Sequence, residues 1–311
     1  MTTSKVEPTS TGEKLNSWQW LTVALVAQMG WGAYPVLLRY LQTVSGIPSL
    51  SLLAMGNLVV LIMVGTAVGR RIDKSLFRLP IVWLFGLMVV LRGITNLLAT
   101  RYTLATYAQL IYLMTPFVVA LLSRVVLHEA LPRNTYKALF LALLGALLIM
   151  SGDWNATAVT GSIGRNDLLG MGMAIASSLF LALYMIITRR TATHNTSGEG
   201  LLLVHLISLF TFSAAVSLLV GESWSAWRTL SPTDWLVFGL LSLGVLLGAN
   251  LGQIRSIQRL GAPVVSSMMA VRLVSALLFA GLLLGERLTS WWQLLGALVV
   301  MATITWYLRQ Q

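Results

Sequence analysis

Residues Gly200–Val220 read GLLLVHLISLFTFSAAVSLLV, 21 residues without one Asp, Glu, Lys or Arg. At 1.5 Å per residue a helix of that length reaches roughly 30 Å, the thickness of a bilayer's hydrocarbon core. A buried helix of a soluble domain rarely stays uncharged for so long. The same ruler, moved along the chain, finds ten such segments: Trp18–Tyr40, Ser49–Gly69, Leu79–Thr100, Thr103–Leu127, Asn134–Ser151, Leu168–Thr188, Gly200–Val220, Thr233–Ile254, Ala262–Leu284 and Ser290–Leu308. Short connections separate them and carry turn residues, as in Ser45-Gly46-Ile47-Pro48 and Ser231-Pro232-Thr233. The reading is an all-α polytopic membrane protein of ten transmembrane helices.

Composition agrees. Of 311 residues, 57% are hydrophobic and 10% charged, against roughly 25% charged in an average soluble domain; the mean hydropathy is +0.80. Too few charges remain to coat a soluble surface, so soluble enzyme, disordered regulator and disulfide scaffold are excluded. The absence of cysteine removes disulfides, thiolate metal sites and cysteine nucleophiles. The three histidines, His128, His194 and His205, are scattered, so neither a metal site nor a cofactor is expected. Residues 1–17 are polar and read as a disordered tail with no cleavable signal peptide.

The net charge of +11 would suggest nucleic acid in a soluble protein, but its distribution points elsewhere. With the N-terminus inside, fourteen Lys and Arg fall at inner ends and loops, among them Arg70, Arg71, Lys74, Arg189, Arg190, Arg255 and Arg259. Five fall at outer ones: Arg39, Arg101, Arg165, Arg228 and Arg287. That asymmetry is the positive-inside signal of a multi-pass protein of the cell (inner) membrane with both termini cytoplasmic. No nucleic-acid partner is needed; the expected partners are the lipid bilayer and a small-molecule substrate. The chain is expected to be a monomer or a weak homodimer.

The chain also repeats itself. Leu127-His128-Glu129-Ala130-Leu131, after the fourth span, is echoed 157 residues on by Leu284-Gly285-Glu286-Arg287-Leu288, after the ninth. Ten spans therefore divide into five plus five. Because five is odd, the second set enters the membrane from the opposite side. The expected organisation is a cytoplasmic tail (1–17), a first five-helix repeat (18–152), a linker (153–167) and a second repeat (168–311), the repeats inverted around a central cavity. Such inverted repeats are the architecture of secondary carriers.

Trp31-Gly32 in the first span, Pro116 in a span ending Leu-x-Glu-x-Leu, and the second copy ending Leu-Gly-Glu-Arg-Leu-Thr together resemble the drug/metabolite transporter superfamily in its EamA-type ten-helix form. Gly170–Arg190 resembles the opening helix of that family's second repeat. The resemblance covers the chain beyond its tail. It implies a transporter of small metabolites with a cavity lined by helices 1, 3, 4, 6, 8 and 9. Where the family commonly has an arginine near the start of its second helix, this chain reads Met55-Gly56-Asn57, so no contact is carried over there.

All ten acidic residues lie in the tail, in loops or at span ends. A carrier of organic cations or one coupled to protons usually keeps a carboxylate at depth, so the sequence favours an uncoupled carrier or an exchanger. Glu129 and Glu286 read as interfacial capping or loop pairing. Arg92 and Arg272, by contrast, fall roughly 18 Å and 15 Å into their spans. An arginine there costs about 2.5–3.5 kcal/mol on insertion scales, and no acidic partner is in sight. A guanidinium offers a planar fork of donors suited to carboxylate or phosphate. Two readings are open: an anion contact in a wet cavity, or satisfaction of backbone carbonyls at a kink.

Helical spacing adds neighbours. Asn96 is four residues from Arg92; Ser266, Met269, Arg272 and Ser275 step by three. Tyr112 with Gln109, Asn250 with Gln253, and Tyr184 with Ser177 make polar stripes on helices 4, 8 and 6. Gln28, Trp31 and Tyr34 stand near Gly30, Gly32 and Pro35 in helix 1. The candidate substrate-binding set is Arg272, Arg92, Asn96, Trp31, Tyr34, Tyr112, Tyr184, Asn250 and Ser266, with no catalytic residue. Gly244-x-x-x-Gly248-x-x-x-Gly252 reads as a seam for close helix contact. The function expected is a secondary transporter working by alternating access on a small metabolite that carries a carboxylate or phosphate. An amino-acid or drug exporter is the alternative, ahead of a channel or an intramembrane enzyme.

Overall fold

The computed structural model describes residues 17–102, 111–112, 115–128, 134–151, 167–194, 196–284 and 291–308. Among them the secondary structure is helical throughout. The tail, most of the linker, Gln109, Glu129 and Glu286 lie outside these residues.

The first five helices are α1 (Ser17–Thr43), α2 (Ser49–Val68), α3 (Pro80–Tyr102), α4 (Thr115–Leu127) and α5 (Thr135–Ser151). The second five are α6 (Asp167–Thr191), α7 (Gly198–Val220), α8 (Pro232–Leu260), α9 (Ala262–Ser267, Met268–Ala270 and Val271–Leu284) and α10 (Trp291–Leu308). Seven are long and apolar enough to cross a membrane, and α4, α5 and α10 are shorter apolar helices among the described residues.

The ends follow from local chemistry. Ser231 and Asp234 form a reciprocal capping box at the start of α8, with Pro232 in the first turn, where its missing N–H costs nothing. Ser197 accepts the amide of Gly200 to begin α7. That helix stops at Gly221, whose φ of +72° suits a residue without a Cβ. Gly261, at φ +91°, makes the single-residue turn from α8 to α9. Glu222 accepts the amides of Leu50 (3.2 Å) and Ser51 (2.8 Å), so a carboxylate from the second five helices caps the N-terminus of α2.

Three described spans are not regular, and in α4 the last turn, Ser123–Leu127, is π-helical. In α8, residues Leu240–Ala249 are π-helical, and in α9 a 3-10 turn spans Met268–Ala270. These last two change which residues share a face. Gly244 therefore faces open space, whereas Gly252 abuts Ala27 and Val23 of α1. The glycine seam expected at four-residue spacing does not form as one line, because a π-helix turns by more residues than the α-helix that spacing assumes.

Packing is organised between the two sets of five. The long contacts pair α3 with α6 and α8 with α1, α1 with α9 and α6 with α4, α2 with α7, and α5 with α10. Exchanging each helix for the one five places away maps this set onto itself. That is the relation expected of two repeats about a pseudo-twofold axis in the membrane plane. The lateral surface carries exposed Trp18, Val26, Ile62, Trp83, Leu87, Leu218, Trp291 and Trp292, an apolar exterior suited to lipid. Within the spans Gln28, Asn57, Arg92, His205, Asn250, Gln253 and Arg272 are buried instead.

Candidate functional site

The interior polar groups converge on a narrow cavity. Trp31, Tyr34 and Pro35 of α1, Arg92 and Asn96 of α3, Tyr112 just before α4, Ser177 and Leu181 of α6, and Arg272 of α9 line it. An adjoining cleft shares Trp31, Tyr34, Arg92 and Asn96 and adds Leu53, His205 and Leu246, among others. Helices 1, 3, 6 and 9 thus line the cavity as the family resemblance implies, and α2 and α7 join through the second cleft. No Asp or Glu is buried among the described residues.

The two arginines are held differently. Arg272, 6% exposed, donates from Nε to Gln28 Oε1 (2.6 Å) and from Nη2 to Gln253 Oε1 (2.8 Å). Its fork is largely occupied by α1 and α8. Arg92, 7% exposed, has its guanidinium carbon 4.7 Å from the Trp31 ring centre and 5.2 Å from that of Tyr184. Among the described residues it donates no hydrogen bond and forms no ion pair. A desolvated cation–π contact contributes about 2 kcal/mol, against an insertion cost of about 2.5–3.5 kcal/mol for a midplane arginine. Two such contacts therefore let Arg92 sit there without an acid, its donors still free.

Donors outnumber acceptors around them. Because Gln28 and Gln253 both turn Oε1 to Arg272, each leaves its Nε2 buried and unpartnered, and Trp31 Nε1 and Asn250 Nδ2 are in the same condition. A buried donor without a partner costs about 1–3 kcal/mol. Of the four, Trp31 lies on the cavity wall, while Gln28, Gln253 and Asn250 stand behind it.

Further features set the shape. Tyr112 donates to Asn96 Oδ1 at 2.8 Å. Tyr184 lies fully buried beneath Arg92, its ring 5.1 Å from that of Phe85, and its hydroxyl donates to Asn250 Oδ1 at 3.5 Å. These two stand one layer behind the wall. Ser266 is placed elsewhere: its hydroxyl returns to the Pro263 carbonyl at 3.0 Å, because the 3-10 turn separates it from the face of Arg272. Ser275 donates to the Met29 carbonyl at 2.6 Å, tying α9 to α1.

The repeat shows here as well. Thr115, 157 residues before Arg272, meets Ser178 at 2.7 Å, and Ser178 stands 150 residues after Gln28, as α6 starts 150 after α1. A neutral hydroxyl pair thus replaces the Arg272–Gln28 pair in the other half. Tyr34 and Tyr184 are related by the same 150 residues. At this pair of related positions only the second repeat carries a charge.

His205 is the lining residue that spacing arguments passed over. The signal available was an ionisable ring inside an uncharged span. Gln28 and Gln253 were legible as interior polar groups but not as partners of Arg272, since three helices supply the cluster.

The EamA-like transporter family matches residues 17–151 and 168–309. A crystal structure of a protein 16% identical in sequence superposes with a TM-score of 0.70, covering 93% of this chain and 96% of that one. No curated protein matches.

Proposed function

The chain belongs to the EamA-like transporter family, and on that premise we propose that it is a secondary carrier for a small organic anion. Its halves, residues 18–152 and 168–311, exchange conformations around the central cavity. A carboxylate or phosphate of the substrate takes the free donors of Arg92. Arg272, already committed to Gln28 and Gln253, contributes charge and holds α9 against α1. Trp31, Tyr34, Tyr112 and Asn96 surround the remainder of the substrate, with Tyr184 and Asn250 supporting the wall.

The observation that carries this reading is Arg92, a buried guanidinium between two aromatic rings, on the cavity wall, without an acid or a hydrogen-bond acceptor among the described residues. An organic cation would meet repulsion there, and a zwitterionic amino acid would leave its ammonium group without a carboxylate partner. The basic ends Arg70, Arg78, Arg189, Arg190, Arg255 and Arg259 support a reading in which the carrier sits in the cytoplasmic membrane with both termini inside, by the positive-inside rule.

The test is entrance counterflow in proteoliposomes. Radiolabelled succinate, benzoate and glucose 6-phosphate would be offered to vesicles preloaded with the same unlabelled compound. A carrier for anions shows saturable counterflow with at least one of them, lost in Arg92→Ala. Counterflow of tryptophan or a cationic dye alone would overturn the anion assignment, and unsaturable flux would indicate a pore.

A further inference from the structure

His205 lies two turns into α7, is 2% exposed, and has an Nδ1 without a hydrogen-bond partner. It lines the cleft that also contains Arg92, Trp31 and Tyr34. Its ring sits 6.2 Å from that of Tyr184, edge to face, and 6.4 Å from that of Phe85. The ionisable groups that face it are Arg92 on α3, Tyr34 on α1 and Tyr184 on α6; α2 and α8 present Leu53 and Leu246. Arg272 lies in the neighbouring cavity. No carboxylate faces it among the described residues.

We propose that His205 is the proton-binding site of the carrier, loaded together with the anionic substrate. This rests on the anion reading of the cavity. In the empty cavity two guanidiniums oppose a third positive charge. An anion on Arg92 offsets the charge of the guanidinium that faces His205 and places a negative group within the same cleft. A proton from solution then adds to the imidazole, and no other bond changes. Histidine is the side chain whose charge changes within the physiological range, and linkage is reciprocal: if the anion favours the proton, the proton favours the anion to the same extent. Proton and anion then cross together, and a transmembrane proton gradient drives the anion without any acidic residue at depth. This revises the sequence-based expectation of an uncoupled carrier or exchanger.

The test uses the full-length protein in detergent. Succinate, benzoate and glucose 6-phosphate are first ranked by the rise in unfolding temperature they cause. The best of them is then added to weakly buffered protein near neutral pH while released or absorbed protons are titrated. The expected result is uptake of about one proton per bound anion, with affinity tightening by up to about tenfold for each pH unit lowered. Both effects should vanish in His205→Gln. Anion binding without proton uptake, or uptake that persists in His205→Gln, overturns the proton site and leaves the anion reading standing. Failure of all three anions to bind overturns both. Should His205→Gln not fold, His128→Gln/His194→Gln leaves His205 as the sole histidine. Its ring signals in NMR must then move to the protonated position when the anion is added; unmoved signals overturn the assignment.

Discussion

A side-chain carbon placed on Gly32 would lie 2.4 Å from the carbonyl oxygen of Arg272 and 2.8 Å from its Cα. The backbone of α1 touches the backbone of α9 at the residue that bears one of the two interior charges. Gly32 is therefore what allows Arg272 to reach Gln28 on α1 and Gln253 on α8 from one position.

Gly32→Ala should consequently destabilise the protein, because the obstructing atoms are backbone and cannot rotate away. Overpacking of this kind costs about 1–3 kcal/mol. Gly65, where an added Cβ meets nothing within 4 Å, is the internal control. Thermal unfolding in detergent should show a lowered midpoint for Gly32→Ala and an unchanged or slightly raised one for Gly65→Ala. Equal midpoints would mean that α1 and α9 are not in backbone contact.

The arginines should separate stability from binding. Arg272→Ala strips the donors from two buried glutamine oxygens, at about 1–3 kcal/mol for each group left unsatisfied, and should lower the unfolding midpoint by several degrees. Arg92→Ala loses its ring contacts but also removes an unpaired buried charge. By the magnitudes given above these nearly cancel, so its midpoint should stay within a few degrees of the parent while anion binding disappears. Loss of stability in Arg92→Ala equal to that in Arg272→Ala would assign both arginines to structure.

Recognition by Arg92 should depend on its planar fork. Arg92→Lys keeps the charge but replaces a fixed pair of donors with a point charge on a flexible stem. Anion affinity should fall by roughly tenfold or more, in line with the loss of one charge-assisted hydrogen bond. Titration calorimetry with the best-binding anion measures it. An unchanged affinity would indicate that charge alone recognises the substrate.

Orientation can be read chemically, because the chain has no cysteine of its own. Ser225, exposed between α7 and α8, and Thr193, exposed between α6 and α7, lie at opposite ends of α7. Ser225→Cys should react with a membrane-impermeant maleimide in intact cells, and Thr193→Cys only after permeabilisation. The reverse pattern would invert the assigned topology.

How much of this was legible depends on the range of the interaction. The spans follow from a length ruler, and their ends from local residues such as Pro80, Ser231 and Gly261, so most expected boundaries fall within a few residues of the helices; α8 runs on past Ile254 to Leu260, and the expected start of the fourth span at Thr103 lies outside the described residues. Arg92, Arg272, Trp31, Tyr34, Tyr112 and Asn96, which line one cavity, stand out in the sequence because a polar group at depth is costly. The misplacements share one cause. Ser266 and Gly244 were assigned to faces by regular α-helical spacing, and the 3-10 turn at Met268–Ala270 and the π stretch Leu240–Ala249 break that spacing. Neither segment announces itself by proline. The partners of Arg272 come from positions 28 and 253, and those of His205 from positions 85 and 184; no local pattern connects helices so far apart in the chain.

The most direct test of the central claim is thermal unfolding of the parent protein and Arg92→Ala against one panel: succinate, benzoate, glucose 6-phosphate, tryptophan, adenine and ethidium. A ligand that prefers the folded state raises the midpoint by mass action. The account predicts that at least one of the three anions raises the midpoint of the parent, that none does so in Arg92→Ala, and that ethidium has no effect on either. Stabilisation by ethidium, tryptophan or adenine alone, or stabilisation by an anion that survives in Arg92→Ala, would contradict it.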